Sequence, residues 1–382
     1  MLAIIETAPV VLDIGLVLIS AAAAGFFARR IGLPAVVGYL LVGLLVSPFT
    51  PGYVADHQQL SILADVGVVL LLFEVGIEVD LRRLSKEQGA LLWAAPLQVL
   101  ITTAIAATVL FQAGLDPLGA LLLGTGIAMS SSVVIVNITR SRRRTTDPRT
   151  DETLLGWSVI QDVTGVLIAA TVLALGGATD RPAGYAILGL LGFAVMAMLS
   201  ARILTYLLRV VRWERDVFLI LSVSTGLLLA AIGSLVFGVP MALAAFVAGL
   251  AVNDGGTDSQ EVRRALLPFR DVFAVLFFVV IGSLVRPDAL SGALPFAGLL
   301  LLLLVATKAF PIFLLARSAG ATRPLQTAIG MSQLGEFSFV LGSAALANGV
   351  LSNQEFVGVL LTVIVSIIVS TVLVRLPHRT IG

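Results

Sequence analysis

Residues 158–170 read SVIQDVTGVLIAA and carry one carboxylate, Asp162, inside an apolar stretch that covers residues 154–175. About 20 apolar residues cross the hydrocarbon core of a bilayer, so the stretch predicts a transmembrane helix. A charged group at membrane depth costs about 2.5–3.5 kcal/mol on insertion scales and is by default a functional group. Gln161 and Thr164 add polar atoms next to it. The sequence therefore predicts a buried polar site around Asp162.

The composition of the whole chain is that of a membrane protein. Of its 382 residues, 58% are hydrophobic and 12% are charged, and the mean hydropathy is +1.05. A water-facing domain of this size cannot bury so much apolar surface, which excludes a soluble enzyme and a nucleic-acid-binding protein. The chain has no cysteine and only two histidines, so we expect neither a Cys or His metal site nor a cofactor.

Breaks in the hydrophobic pattern at charges, prolines and glycines divide the chain into about 13 transmembrane helices. The predicted fold class is thus an all-α polytopic membrane protein. One predicted span runs from Val272 to Val285 and follows a loop that carries Arg263, Arg264 and Arg270. Nearly all of the 24 Lys and Arg residues fall in alternate loops. Because short cytoplasmic loops retain basic residues, we expect the N-terminus outside and the C-terminus inside.

Three more ionisable residues lie deep within predicted spans. Lys308, in the run LLLLVATKAF, is too deep to reach the interface easily, and a negative partner such as Asp162 would neutralise it. Glu336 lies mid-span beside a helix-weakening stretch, where a structural cap and a functional role are equally open. Glu74 lies one helical turn before Glu78, and the sequence pattern assigns no role to it.

Two predicted spans contain small, helix-weakening residues at mid-membrane. Residues 124–137 read GTGIAMSSSVVIVN and include Gly126, and residues 328–339 read AIGMSQLGEFSF and include Ser332 and Gln333. Such residues predict interrupted helices whose freed carbonyls face an ion. Aligning the two Met-Ser pairs places the stretches an odd number of spans apart, which reverses their membrane orientation. The pattern therefore predicts an inverted-topology repeat with two broken helices that cross near the midplane.

Seven runs that follow one another along the chain carry a family resemblance. They are GLPAVVGYLLVGLLVSP, LLLFEVGIEVDLRRL, GTGIAMSSSVVIV, VIQDVTGVLIAA, MALAAFVAGLAV, FFVVIGSLV and SQLGEFSFVL. The ordered set resembles the second cation:proton antiporter family and, within it, the transport domain of Kef-type K⁺/H⁺ antiporters. The resemblance implies an NhaA-like fold with core helices at about residues 90–175 and 294–373. It also implies dimerisation or scaffold helices at about residues 10–79 and 185–285.

The same resemblance bears on assembly and location. We expect one membrane transport domain over residues 1–382, forming a homodimer in the lipid bilayer of a bacterial cytoplasmic (inner) membrane. Many Kef proteins continue into a cytosolic nucleotide-binding domain, whereas only LPHRTIG follows the last predicted span here, without a glycine-rich phosphate fingerprint. Regulation is then expected to be absent or to come from a separate cytosolic regulatory subunit, unless the chain is truncated.

The resemblance implies a cation- and proton-binding set. Gln161 and Asp162 match the family's Gln-Asp pair, whose Asp carries cation and proton. A Ser-Ser-Thr stretch of the family's broken helix matches residues 130–132, with Ser132 in place of Thr. Together with Thr164, which comes from the polar cluster around Asp162, the residues expected to bind the cation are Asp162, Gln161, Ser130 and Ser131.

Four further residues receive roles by the same comparison. Lys308 matches a lysine that can pair with the Asp and is expected to compensate its charge. Gln333 and Glu336 match the family's SQxGEF run in the second broken helix. Glu74 stands where an apolar residue is expected, so it is an accessory residue of open role.

The predicted function is secondary active antiport, most simply K⁺/H⁺ exchange by alternating access, with either a cation or a proton on Asp162. Because Gln161 is neutral, we expect one proton per cation and electroneutral exchange. A Na⁺/H⁺ antiporter of the same fold is the alternative, since both cations bind the same oxygens. A cation channel is less favoured because no TVGYG-like filter is present. A receptor or scaffold leaves the midplane charges unexplained, and no nucleophile, metal site or phosphate loop indicates an enzyme.

Overall fold

The computed structural model describes residues 8–47, 57–78, 89–140, 145–175, 183–211, 213–239, 241–253, 257–285 and 289–376, and every regular element among them is helical. The helices are α1 Ala8–Ile31, α2 Ala35–Leu45, α3 His57–Glu78, α4 Leu91–Gln112, α5 Pro117–Ala128, α6 Ser132–Arg140, α7 Pro148–Leu175, α8 Ala183–Val210, α9 Arg215–Leu235, α10 Met241–Val252, α11 Thr257–Ser283, α12 Leu290–Leu303, α13 Phe310–Ser318, α14 Pro324–Met331, α15 Glu336–Ala347 and α16 Asn353–Leu373. A π-helical turn, Leu304–Ala309, joins α12 to α13.

The described helices have the length and hydropathy of membrane spans. Nine segments of the described chain are long and apolar enough to cross a membrane, and four more apolar helices are shorter. Helices can cross a bilayer because all their backbone hydrogen bonds are made internally. The chain is therefore an all-helical integral membrane protein. The count of 13 spans, their orientation and the NhaA-like repeat stay predictions.

Helix α11 corrects one predicted span. The hydrophobic pattern indicated a span from Val272 to Val285 after a basic loop, whereas the helix already begins at Thr257. The arginines assigned to that loop therefore lie within the helix. A helix can continue past its apolar part because long basic side chains can reach polar partners. Here Arg263 and Arg270 both reach Glu74, which sequence periodicity could not reveal.

Contacts divide the chain into two compact units. Unit one comprises Met1–Arg30, Ala35–Asp80 and Thr179–Val285, and unit two comprises Ile31–Pro34, Leu81–Ala178 and Arg286–Gly382. Each unit thus draws on separate parts of the sequence. Which helices carry the ion and which form a dimer interface stays a prediction.

In unit one, helix α3 packs against α10 and α11. Glycines let the α3 and α10 backbones touch: a Cβ at Gly76 would lie 2.3 Å from Phe246 O, and one at Gly249 would lie 2.1 Å from Phe73 O. Small residues permit this close approach between membrane helices. A larger side chain at Gly76 or Gly249 would force α3 and α10 apart.

Glu74 joins α3 to α11 through two ion pairs. Its side chain is fully buried, with Oε1 2.5 Å from Arg263 Nε and Oε2 2.7 Å from Arg270 Nη1. Arg270 also contacts Asp271, whose side chain is 67% exposed. Two guanidinium groups therefore compensate one carboxylate within unit one. The accessory role predicted for Glu74 in transport stays a prediction.

We expect Glu74→Gln to lower the free energy of unfolding by about 3 kcal/mol, because removing one partner of a buried ion pair leaves the other charges uncompensated. Thermal denaturation of the purified protein in detergent measures this loss as a lower midpoint. Asp271→Asn is the matched control, since it removes an exposed partner of Arg270 and exposed pairs contribute only about 0–1 kcal/mol. Equal midpoints for the two variants would contradict the expectation.

In unit two, the start of α7 is fixed by Asp147. Its Oδ1 accepts a hydrogen bond of 3.0 Å from Thr150 N, as an N-cap residue does, and its Oδ2 lies 3.0 Å from Arg323 Nε. Burial raises the pKa of the Asp147 carboxyl, but hydrogen bonds from Thr150 and Thr322 and the charge of Arg323 together hold that pKa below its ordinary value. Asp147 is therefore ionised at neutral pH and anchors the helix that carries Asp162.

Candidate functional site

Two helices of unit two are interrupted where the sequence predicted breaks. Helix α5 ends at Ala128, Met129 is extended at φ −94° and ψ 142°, and α6 begins at Ser132. Helix α14 ends at Met331, and α15 begins at Glu336. Both interruptions are thus confirmed. Each break leaves backbone groups at the ends of half-helices that need partners outside their own helix.

The two breaks bind each other through backbone groups, a serine hydroxyl and a side-chain amide. Gly335 N donates to Met129 O at 3.3 Å, and Ser130 Oγ donates to Met331 O at 2.7 Å. Ser131 N donates to Gln333 Oε1 at 2.9 Å, and Gln333 Nε2 donates to Ser131 O at 3.2 Å. Gln333 therefore replaces the partner that a continuous helix or strand would provide for Ser131. The breaks form one hydrogen-bonded crossing.

Gly335 and Gly126 allow the crossing to close. A Cβ at Gly335 would lie 2.7 Å from the carbonyl carbon of Ser130, which excludes any larger residue there. Gly126 O accepts a hydrogen bond of 3.0 Å from Ser338 Oγ of α15. Gly126, which the sequence placed in the first broken helix, therefore takes part in the crossing through its carbonyl oxygen.

Lys308 lies at the same crossing. It is fully buried in the π-helical turn, and its Nζ donates to Met129 O at 2.8 Å and to Gln333 O at 2.7 Å. The C-terminal end of a helix carries partial negative charge, and Met129 caps that end of α5. The ammonium group therefore compensates the carbonyl oxygens of both breaks. Asp162 also attracts Lys308 electrostatically.

Helix α7 carries the predicted carboxylate. Asp162 is 2% exposed, and Gln161 is fully buried beside it. Gln161 Nε2 donates a hydrogen bond to Gln98 Oε1 of α4. Gln98 also accepts from Trp157 Nε1 at 3.3 Å and donates to Ala128 O at 3.3 Å, at the end of α5. The orientation of Gln161 is thus fixed by a buried amide that itself binds the first break.

Two buried oxygens of α7 have no hydrogen-bond partner among the described residues, namely Ser158 Oγ and Gln161 Oε1. Ser158 lies one helical turn before Asp162, so both occupy one face of α7. A buried polar atom without a partner costs about 1–3 kcal/mol and requires an explanation. Oxygen atoms are the ligands that hard cations such as K⁺ and Na⁺ use in place of water. Helix α7 therefore presents an oxygen set suited to a cation.

Other predicted site residues have different contacts. Thr164 Oγ1 donates to Ile160 O of its own helix at 2.7 Å, and Ser332 Oγ donates to Ala328 O within α14. Ser132 is the first residue of α6 and is half-buried. Glu336 is the first residue of α15, and its side chain lies outside what the structure describes. Glu74 lies in unit one.

The chain thus combines a buried carboxylate, a lysine at two broken helices and a helical membrane fold. A protein-family model described as "Sodium/hydrogen exchanger, transmembrane" matches residues 16–377. The chain therefore belongs to this family of cation:proton antiporters. The predicted membership of the second cation:proton antiporter family is thereby confirmed.

Among individual relatives, the chain is 30% identical over 379 residues to the "Putative cation/proton antiporter YbaL" of Escherichia coli (strain K12). The match covers 93% of this chain and 66% of that protein, so the chain spans slightly less than two thirds of that relative's length.

Solved structures share the fold. The sodium proton antiporter MjNhaP1 from Methanocaldococcus jannaschii, solved at pH 8, is similar with a TM-score of 0.74 and 19% identity, over 98% of this chain and 99% of that chain. An electron-microscopy structure of the same antiporter gives a TM-score of 0.69 and 16% identity, over 95% and 94% of the two chains. At these identities the similarity concerns the fold alone.

Proposed function

We propose that the chain is a secondary active antiporter that exchanges a monovalent cation for a proton, with Asp162 as the carboxylate that both ligands share. The observation that carries the proposal is the buried face of α7, where Asp162 lies with two oxygens that have no hydrogen-bond partner among the described residues. A cation bound there would take Ser158 Oγ and Gln161 Oε1 as ligands. Ser130 and Ser131 lie at the neighbouring break and support the same location.

Coupling follows from competition for one group. A carboxylate that holds a proton is neutral and binds a cation weakly, whereas an ionised carboxylate binds the cation in place of the proton. Each time the site changes its access from one side of the membrane to the other, it then carries either the cation or the proton. Lys308 would offset the charge of Asp162 when neither ligand is bound. Because Gln161 is neutral, the proposed stoichiometry is one proton per cation, with no net charge moved.

The proposed cation is K⁺, which rests on the resemblance to Kef-type antiporters. Na⁺ is the second candidate, and the specific observation that favours it is the match of residues 16–377 to a family model described as a sodium/hydrogen exchanger. We also propose a homodimer in a bacterial inner membrane, with the N-terminus outside and the C-terminus inside. The distribution of basic residues supports this orientation. A separate cytosolic subunit could supply regulation.

Proteoliposomes test the proposed function directly. A pH-sensitive dye inside the vesicles should report proton movement when K⁺ is added outside, with a smaller response to Na⁺ and Li⁺ and none in protein-free vesicles. The exchange equilibrium should not depend on membrane potential, which supplies about 2.3 kcal/mol per net charge per 100 mV. A two-proton reversal potential would contradict the single-carboxylate stoichiometry. Cation flux that follows the potential without proton movement would indicate a channel.

A further inference from the structure

A cavity of about 370 Å³ lies in unit one between the first turn of α9 and the first half of α11. Its polar lining comes from Arg215 of α9 and from Glu261 and Arg264 of α11. Its apolar lining includes Phe218 and Pro268. None of these residues takes part in the proposed cation site, which lies in unit two. We call this cavity the α9–α11 pocket.

The pocket lies at the end of a helix that is long and apolar enough to span a membrane. Arg215 is the first residue of α9, which has the length and hydropathy of a membrane span, so it marks the end of that span. Trp213, two residues earlier, is 91% exposed. Tryptophan is enriched at the interface between membrane and water. The pocket therefore combines a polar rim near water with apolar walls that continue along two membrane helices.

The charges of the rim match a specific headgroup. Two guanidinium groups are suited to a phosphodiester, which arginine binds with charge-assisted hydrogen bonds. Glu261 adds a carboxylate, which would repel a purely anionic headgroup. A headgroup that carries a primary ammonium group beside the phosphate would instead be attracted by this carboxylate. The volume is within the range of small-ligand sites, and basic pockets between membrane helices are known to bind lipid headgroups.

We propose that the α9–α11 pocket binds the phosphoethanolamine headgroup of an aminophospholipid. The phosphate binds Arg215 and Arg264, and the ammonium group donates hydrogen bonds to Glu261. The upper part of the lipid chain packs on Phe218 and Pro268. A free soluble phosphate compound would leave these apolar walls uncovered, so the proposed source is the membrane lipid. The proposal does not depend on the transported cation.

Native mass spectrometry of the purified full chain in detergent tests the proposal with four probes: dioleoyl phosphatidylethanolamine, dioleoyl phosphatidylglycerol, dioleoyl phosphatidylcholine and soluble phosphoethanolamine. We expect the chain to retain phosphatidylethanolamine about tenfold more tightly than the other two lipids, and soluble phosphoethanolamine not to compete. Phosphatidylcholine carries a quaternary ammonium group that cannot donate a hydrogen bond to Glu261. Equal retention of all three lipids, or binding of soluble phosphoethanolamine as tight as that of the lipid, would overturn the proposal.

Variants separate the two parts of the headgroup. The double substitution Arg215→Gln and Arg264→Gln should weaken phosphatidylethanolamine binding at least about tenfold. A tenfold loss of affinity corresponds to about 1.4 kcal/mol of binding free energy. Glu261→Gln should instead remove the preference over phosphatidylglycerol while keeping binding of the phosphate. The charge-matched control is Arg202→Gln with Arg317→Gln, two exposed arginines outside the pocket. Unchanged lipid binding in the pocket variant, or an equal loss in the control, would overturn the proposal.

Discussion

Asp162→Asn is expected to abolish cation-dependent proton movement in proteoliposomes while leaving the chain folded. The amide has nearly the size and shape of the carboxylic acid, so the packing around a side chain that is 2% exposed is preserved. It cannot release a proton, and it offers a cation a neutral oxygen in place of a negative one. Both halves of the exchange cycle are therefore lost together. The dye signal should fall to that of protein-free vesicles, with normal yield and elution of the purified variant.

Asp151→Asn is the matched control for this result. Asp151 is a second buried carboxylate of α7, near the start of the helix, and it accepts a hydrogen bond from Thr146. Its replacement removes the same charge from the same helix at a distance from the proposed cation site, so exchange should persist. Robust proton-coupled flux in Asp162→Asn would contradict the single-carboxylate mechanism. Loss of exchange in both variants would show that a negative charge on α7, rather than Asp162 itself, is required.

The interrupted helices could be predicted from sequence because their signal is local. Gly126 and the three serines at 130–132 weaken helix formation within about two turns, and the same holds for the stretch around Gly335. The structure places both breaks where these residues occur. The sequence also predicted that the two breaks cross, but it did not show which of their atoms bind each other. The alignment of the two Met-Ser pairs matches Ser131 with Gln333, 202 positions later, but it does not reveal that the Gln333 amide binds the Ser131 backbone.

The hydrogen-bond partners around Asp162 follow less directly from the sequence. Thr164 was expected among the cation ligands, which stays a prediction; its hydroxyl donates to Ile160 O of its own helix, as threonine commonly does. Gln98 was missed because one amide in an apolar stretch is a weak signal, and its partner Gln161 lies 63 positions away. Ser158 was missed for a similar reason, since only its surroundings reveal a buried hydroxyl without a partner among the described residues.

Glu74 illustrates the same limit for charged residues. The sequence placed it deep in a span but could not identify its partners, because Arg263 and Arg270 follow it by 189 and 196 positions. Those arginines were also assigned to a loop, since a hydropathy pattern ends a span where charges begin. In the structure the charges compensate one another inside a helix pair. The long-range ion pairs therefore explain why the hydropathy pattern missed the partners of Glu74 and why it assigned Arg263 and Arg270 to a loop.

Lys308→Gln is expected to lower both the thermal stability of the protein and its exchange rate. The ammonium group of Lys308 donates to two buried carbonyl oxygens, Met129 O and Gln333 O. Glutamine is one atom shorter and neutral, so its amide can serve one of these oxygens at most. Hydrogen bonds from charged groups contribute about 1.5–3 kcal/mol each, so we expect a loss of about 3 kcal/mol in the free energy of unfolding. The midpoint of thermal denaturation in detergent and the proteoliposome assay measure the two effects.

Two control variants separate charge from packing at this position. Thr307→Val alters the neighbouring buried residue, whose hydroxyl binds Leu303 O of its own turn, and it should change the midpoint only slightly. Lys308→Arg keeps the positive charge but not the geometry of a single ammonium group between two carbonyls, so it should recover part of the exchange and little of the stability. A normal midpoint with lost exchange in Lys308→Gln would contradict the stabilising role of the lysine and leave it a role in transport alone. Normal values of both would contradict its role at the crossing, because two buried carbonyl oxygens without their shared donor cannot leave the native state unaffected.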